Sequence, residues 1–222
     1  MNTLTLDMLK NNPVVKLYMD EGNKFIGTTG AIEHNISHAQ LISDLSYEIL
    51  YKLGYPKREA ELAAIAGYVH DIGNLVNRYW HGTSGAIMVF DILLDMDVDP
   101  DEVTMIMGAI GTHEEHAGGH PVNNVAAAVI LADKSDVNRS RVRKQDAATF
   151  TTRDRVNYAA QESSLEVDAE ARRIVMKLKI DVAICSVMEY FEIFLTKMMM
   201  CKRAAEFLDC TFELVINDVR LL

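Results

Sequence analysis

Residues 62–73 read Leu-Ala-Ala-Ile-Ala-Gly-Tyr-Val-His-Asp-Ile-Gly, an almost wholly apolar run that stops at a histidine beside a carboxylate. The run suits a buried helix, and a core accepts His70 and Asp71 only if something satisfies them. A metal ion would satisfy both. Adjacent helical side chains point about 100° apart, so this pair can grip one ion only beside the helix end, with further ligands from other elements.

Composition limits the alternatives. At 222 residues and 49% hydrophobic content the chain can bury a full core, and it reads as one main domain with a smaller appended piece. The net charge of −10 argues against a nucleic-acid polymer as partner, because phosphate backbones are bound by a basic face. A local pocket for a small anion is compatible with it. Cys185, Cys201 and Cys210 are odd in number and lack metal-type spacing, which suits reduced core thiols in a cytosol. The N-terminus lacks a basic region followed by an apolar one, and no apolar run reaches the length of a membrane span. The expectation is a soluble cytoplasmic protein with no membrane partner.

All seven histidines, at 34, 38, 70, 81, 113, 116 and 120, fall in one window. Upstream of it, residues 3–9 and 14–25 suit two short helices separated by Asn11-Asn12-Pro13, a lead-in of about 30 residues. A helix over 32–53 follows, with Leu41, Ile42, Leu45, Ile49 and Leu53 as its apolar stripe. His34 and His38, four apart, share one face of it; His38 is read as facing the same interior as His70, and His34 as a supporting residue. The alanine-rich helix 57–71 delivers His70-Asp71, and Gly73 supplies the turn.

His81 stands at the entrance of an apolar helix over 86–96, with Thr83 or Ser84 as its cap. A phosphate near His81 would suit a helix N-terminus, although a solvent-exposed loop histidine fits the same residues. A helix over 101–112 ends in His113-Glu114-Glu115-His116, then Ala117-Gly118-Gly119-His120. The spacing is one short of the zinc-peptidase His-Glu-x-x-His. His113, at a helix end like His70, is the inner ligand; His116 and His120 shape the rim or lie idle. Residues 125–132 form a second apolar helix, which also ends in a carboxylate, Asp133. Directly after it come Lys134, Arg139, Arg141, Arg143 and Lys144, suited either to phosphate oxygens or to complementing a helix C-terminus and solvating a loop.

The ordered set His38, His70-Asp71, His81, His113 and Asp133 resembles the HD-domain superfamily of metal-dependent phosphohydrolases, whose signature is H…HD…D on a helical bundle. Trp80-His81 with Gly85-Ala86, Ala109-Ile110 before His113, and Ile130-Leu131-Ala132-Asp133 with Asn138-Arg139-Ser140 resemble the branch with a second metal site, which includes bacterial dinucleoside tetraphosphate hydrolases. The resemblance covers residues 30–145. It implies a helical bundle over 31–145 in which His38, His70, Asp71 and Asp133 hold one divalent ion and His81 and His113 a second, with Asp71 bridging. Nitrogen and carboxylate ligands suit iron, manganese or zinc. Two such ions about 3.5–4 Å apart can activate a hydroxide and draw charge off phosphoryl oxygens. Lys134 or Arg139 would then stabilise developing charge, and Asn74 or Asn77 orient a substrate. The chain departs from the narrower branch at His34, His116 and His120 and at Lys134-Ser135-Asp136, which leaves the substrate class open.

Beyond residue 145 the resemblance fades. A short helix over 154–161, strands over 164–167 and 174–180, a long helix over 186–208 and a last strand over 211–219 make a small α+β unit (β-β-α-β) spanning 146–222. Met188, Phe191, Phe194, Leu195, Met198 and Met199 read as the core face of its helix. An edge strand there could pair with a second copy in a homodimer, or the unit could sense a ligand; nothing in it suggests catalysis. The expected function is hydrolysis of a small phosphorylated compound, a nucleotide or dinucleotide, by a metal-activated hydroxide. The alternatives are a regulatory module that binds a nucleotide or metal without turnover, and a di-iron oxygenase on the same scaffold.

Overall fold

The computed structural model describes residues 3–221, and at residue 117 the backbone only. Asn12 joins the first two helices, ending α1 (Leu6–Asn11) and opening α2 (Pro13–Thr28). Its side-chain oxygen accepts the Val14 and Val15 amides, which would otherwise be unpaired at the helix start. Pro13, lacking an N–H, takes the first helical position at no cost.

The centre of the bundle is made by α3 (Ile36–Lys52), α4 (Lys57–Val69) and α7 (Asn124–Ser135), which pack against one another. Every residue of α7 from Val125 to Ala132 is fully buried. A helix apolar all round can be stable only when neighbours cover every face, and α3, α4, α6 (Pro100–Thr112) and the C-terminal helix do so. The alanines of α4 and α7 keep those approaches close. Helix α5 (His81–Asp95) packs on α6 and on the 3₁₀ turn Ile72–Leu75.

Helix α3 differs from the sequence expectation. Asn35 caps α3 through the His38 amide, so the helix begins at Ile36 and His34 lies in the loop before it. Leu41, expected in the stripe, is exposed, while Ile42, Ile49 and Leu50 are buried.

The C-terminal part is α8 (Thr152–Ala159), β1 (Ala160–Asp168), β2 (Arg173–Ile180), α9 (Val187–Phe207), β3 (Thr211–Ile216) and β4 (Val219–Arg220). The sheet order is β1-β2-β3-β4. β1 and β2 form an antiparallel hairpin with Leu165 opposite Met176, and α9 carries the chain across to place β3 parallel to β2. The expected last strand is in fact two, because Asn217 and Asp218 both take positive φ and turn the chain back, as a two-residue hairpin requires. Ile174, Met176, Leu178 and Ile180 alternate with more exposed residues and face α9 and the core.

Helix α9 buries Tyr190, Phe194, Met198, Cys201 and Ala205, a stripe rotated from the expected one; Met188, Leu195 and Met199 are exposed. It packs on α7 as well as on the sheet, and one hydrophobic core runs from the N-terminal helices into the strands. The three cysteines are buried and unpaired. No helix is long and apolar enough to cross a membrane among the described residues.

Candidate metal centre

The ends of three helices and the starts of two meet at Asp71. Helix α4 stops at His70, and Asp71 opens the 3₁₀ turn behind it. Gly73 is needed for proximity, where the sequence suggested a turn: its φ is not positive, but a Cβ there would lie 2.0 Å from the His81 carbonyl oxygen and 2.5 Å from the Gly85 amide nitrogen. This close approach sets the first residue of α5 beside Asp71. His113 ends α6, His38 sits in the first turn of α3, and Asp133 is in the last turn of α7.

The two oxygens of Asp71 face different neighbours. Oδ2 lies 3.1 Å from His70 Nε2, 3.5 Å from His38 Nε2 and 4.0 Å from His34 Nε2. Oδ1 lies 3.2 Å from His81 Nε2 and 3.9 Å from His113 Nε2. Asp133 Oδ1 is 3.6 Å from Nε2 of both His38 and His70. Two ligand groups result, one of His38, His70 and Asp133 and one of His70, Asp71 and His113, each with ligand atoms within 4.8 Å of one another.

Every imidazole of the cluster is held through its other nitrogen. Nδ1 contacts the carbonyl oxygen of Ile32 in His34, Gly67 in His70, Arg78 in His81 and Ile110 in His113. His38 Nδ1 contacts Asp136 Oδ2 at 2.7 Å. A carbonyl can only accept, so Nδ1 carries the proton and the Nε2 lone pair points inward. His38 Nε2, His70 Nε2 and Asp71 Oδ2 are buried without a hydrogen-bond partner. Converging buried lone pairs are costly unless a cation sits among them, and a second contact that orients a ligand histidine is the usual support of such a site. The donor set therefore fits a first-row divalent ion.

The electrostatics point the same way. Burial works against a charged His70, but the Asp71 and Asp133 carboxylates outweigh it and raise its pKa to about 10. That is the pull of two anions on any cation at this point, proton or metal. Burial likewise disfavours the charged forms of Asp71 and Asp133; His70 for the first and Lys134 for the second nevertheless hold them well below the carboxylate range. His113 and His34 are pushed well below the ordinary imidazole value, mainly by burial, which keeps Nε2 free to bind.

Glu114 occupies the position that the sequence suggested for a phosphate. It accepts the Trp80 amide at 2.9 Å and the Gly82 amide at 3.2 Å at the start of α5, and lies 3.4 Å from His81 Nδ1. A carboxylate already fills this helix N-terminus. Burial would raise Glu114, but His81 and the two amides bring it to about 2. Neither Thr83 nor Ser84 caps the helix; the Ser84 hydroxyl donates to carbonyls, including that of Gly73.

The basic run after Asp133 divides. Lys134 is buried, pairs with Asp133 at 2.6 Å and lines an open cavity of about 370 Å³ beside the cluster. Arg141 lines it too, held by Asp136 and the Glu33 carbonyl. Arg139 is not on the cavity wall; its guanidinium lies over the Tyr158 ring, 5.0 Å from the centroid, which removes it from contact with a substrate there. Arg143 and Lys144 bind backbone carbonyls and the side chains of Asn23 and Asp154. Asn74 donates to Asp71 Oδ1 at 3.0 Å and so orients the carboxylate, whereas Asn77 accepts the Tyr79 amide in a turn. His34 and His116 line the cavity, the latter against Tyr79; His120 is exposed and does not. Asp136, Glu114, Arg78 and Lys197 belong to the site and were not singled out in the sequence. Asp136 had a signal: a second carboxylate one turn past Asp133.

No protein-family model matches the chain. It is similar to an uncharacterized protein of Methanocaldococcus jannaschii, at 23% identity over 158 residues that cover 62% of this chain and 60% of that protein. The chain thus spans less than two thirds of that relative's length.

Proposed function

We propose that the chain is a metal-dependent phosphohydrolase of the HD-domain type, acting on a small phosphorylated compound, with nucleotides and dinucleotides as the first class to try. The observation that carries this reading is the divided use of Asp71, one oxygen toward His38 and His70 and the other toward His81 and His113. His38, His70, Asp71 and Asp133 would hold one ion and Asp71, His81 and His113 another, iron, manganese or zinc being the candidates. Such ions supply an activated water nucleophile and neutralise charge on the phosphoryl group.

The chain's own groups do the rest. Lys134 and Arg141 present cations to the cavity from positions fixed by Asp133 and Asp136, so they bind phosphoryl oxygens with little loss of side-chain freedom. Asn74 donates to Asp71 Oδ1, the oxygen that faces His81 and His113, and so fixes the carboxylate's orientation. Binding without turnover is the second reading, favoured by the reach of α9 into the cavity through Phe194 and Lys197; a C-terminal unit in contact with the ligand could relay its presence.

The test is elemental analysis of protein purified without a histidine tag, with phosphate release measured on a nucleotide panel before and after Asp71→Ala. Two equivalents of a transition metal, and release that falls by about a thousandfold in the variant, support the hydrolase. Metal and ligand binding without release on any substrate moves the assignment to the binding module.

A further inference from the structure

The cavity is built by both parts of the chain. Arg78 lines it from the loop before α5, Lys134 and Arg141 from the end of α7 and the turn after it, Arg153 from α8 and Lys197 from α9. Lys134 and Arg141 are ion-paired with Asp133 and Asp136. The remaining three join no ion pair within 4.0 Å among the described residues. Arg78 donates to the neutral Asn74 amide oxygen, and the Lys197 ammonium lies over the Phe194 ring, 4.8 Å from the centroid. Burial, with the Lys134 charge adding to it, pushes the Lys197 pKa down to about 8, so the loss of water outweighs the pull of Glu115 and Asp133 on the ammonium.

A lysine on a methionine-rich helix can simply run its stem along apolar surface and keep its head in water. Here the head turns to the same cavity as two other uncompensated guanidinium groups, each from a different element. The cavity wall carries as many carboxylates as cations, so two divalent ions in the cluster would leave an excess of about four positive charges. A single phosphate, with about two negative charges, would neutralise only half of it.

The structure assigns Lys197, Arg153 and Arg78 to a second anion subsite, which holds a phosphate of the substrate beyond the one that is hydrolysed. The inference rests on the phosphohydrolase reading and narrows it to compounds with two or more linked phosphates. The C-terminal unit, on this account, contributes to substrate selection.

The experiment is calorimetric binding of inorganic phosphate and of imidodiphosphate, which resists hydrolysis, to manganese-loaded protein. Wild type is expected to bind imidodiphosphate at least about tenfold more tightly, the value of one charge-assisted hydrogen bond. Lys197→Met should remove most of that preference, Lys197→Arg should keep it, and neither should move the phosphate affinity by more than about twofold. Arg153→Gln, at an exposed position, gives the same readout if the Lys197 variant fails to fold. A preference for imidodiphosphate that is unchanged in the Lys197 and Arg153 variants overturns the subsite and leaves the hydrolase reading standing. Binding of neither anion to the loaded wild type overturns both.

Discussion

The Nε2 atoms of His81 and His113 face each other at 3.0 Å, and each ring gives its Nδ1 proton to a backbone carbonyl. Two lone pairs at that distance repel unless a proton or a cation stands between or beside them. The same two nitrogens flank Asp71 Oδ1, so the repulsion is relieved where a divalent ion would sit.

Ion binding should therefore stabilise the fold. An ion present at about a hundredfold its dissociation constant contributes about 2.7 kcal/mol, which for a chain of this size raises Tm by about 5–10 °C. Thermal scans with manganese, ferrous iron or zinc against chelator should show this shift in wild type, a smaller one in the double variant His81→Gln/His113→Gln, and none in Asp71→Ala. A wild-type Tm that ignores all three metals contradicts the site.

Asp136→Asn tests the support of His38. The amide can still accept from Nδ1 but no longer makes the ring more basic, and Arg141 loses its charge partner. Competition titration against a chelator should give about 10–100-fold weaker metal binding with unchanged stoichiometry. Unaltered affinity would mean that Asp136 serves the fold alone.

Gly73→Ala and Gly111→Ala should separate sharply. The first pushes a methyl against the His81 carbonyl and the Gly85 amide at distances no atom tolerates, so the turn and α5 must move apart; the expected loss is on the order of 3 kcal/mol or more, with metal binding weakened. At Gly111, inside α6, the nearest atom to a new Cβ is 3.9 Å away, and alanine should stabilise by about 0.5–1 kcal/mol. Urea denaturation reads both.

Acid should expose the joint between α8 and α9. Arg155 hydrogen-bonds Glu189, and with the Ser186 amide it lowers the Glu189 pKa to about 2. The folded value lies below the ordinary glutamate value of about 4.3, so the ionised form is favoured by folding. The stability difference between wild type and Glu189→Gln should be fully present above about pH 4.3 and vanish as pH falls through 2. A pH-independent difference in denaturant midpoints would assign the effect to the capping hydrogen bond instead.

The parts of the site that were legible in the sequence are those where polarity breaks an apolar helix. His70-Asp71 and Asp133 end α4 and α7, and two buried helices cannot finish in charged groups without a reason. His34 was misplaced because spacing alone cannot show that Asn35 starts the helix. Glu114 was obscured by its neighbour His113, and its role at the start of α5 depends on a contact between residues more than thirty apart in sequence. Lys197 was passed over in a helix read for its apolar face; only the docking of α9 on α7 brings it to the cavity. Mostly helical architecture with a C-terminal sheet could be read from periodicity, whereas the turn at Asn217-Asp218 and the single continuous core depend on tertiary packing.

The tethers of the histidine rings bear on how the centre can diverge. His34, His70 and His113 are anchored to main-chain carbonyls alone, and His81 has such an anchor beside Glu114. A carbonyl is supplied by whatever residue occupies the position, so the tethers from residues 32, 78 and 110 do not depend on a particular side chain, whereas Gly67 has no room for one, a Cβ there lying 2.9 Å from the Ile42 carbonyl oxygen. His38 depends on one carboxylate side chain, Asp136. On the proposed metal centre, a single codon change at residue 136 would alter the electron donation of one ligand while the other rings keep their aim.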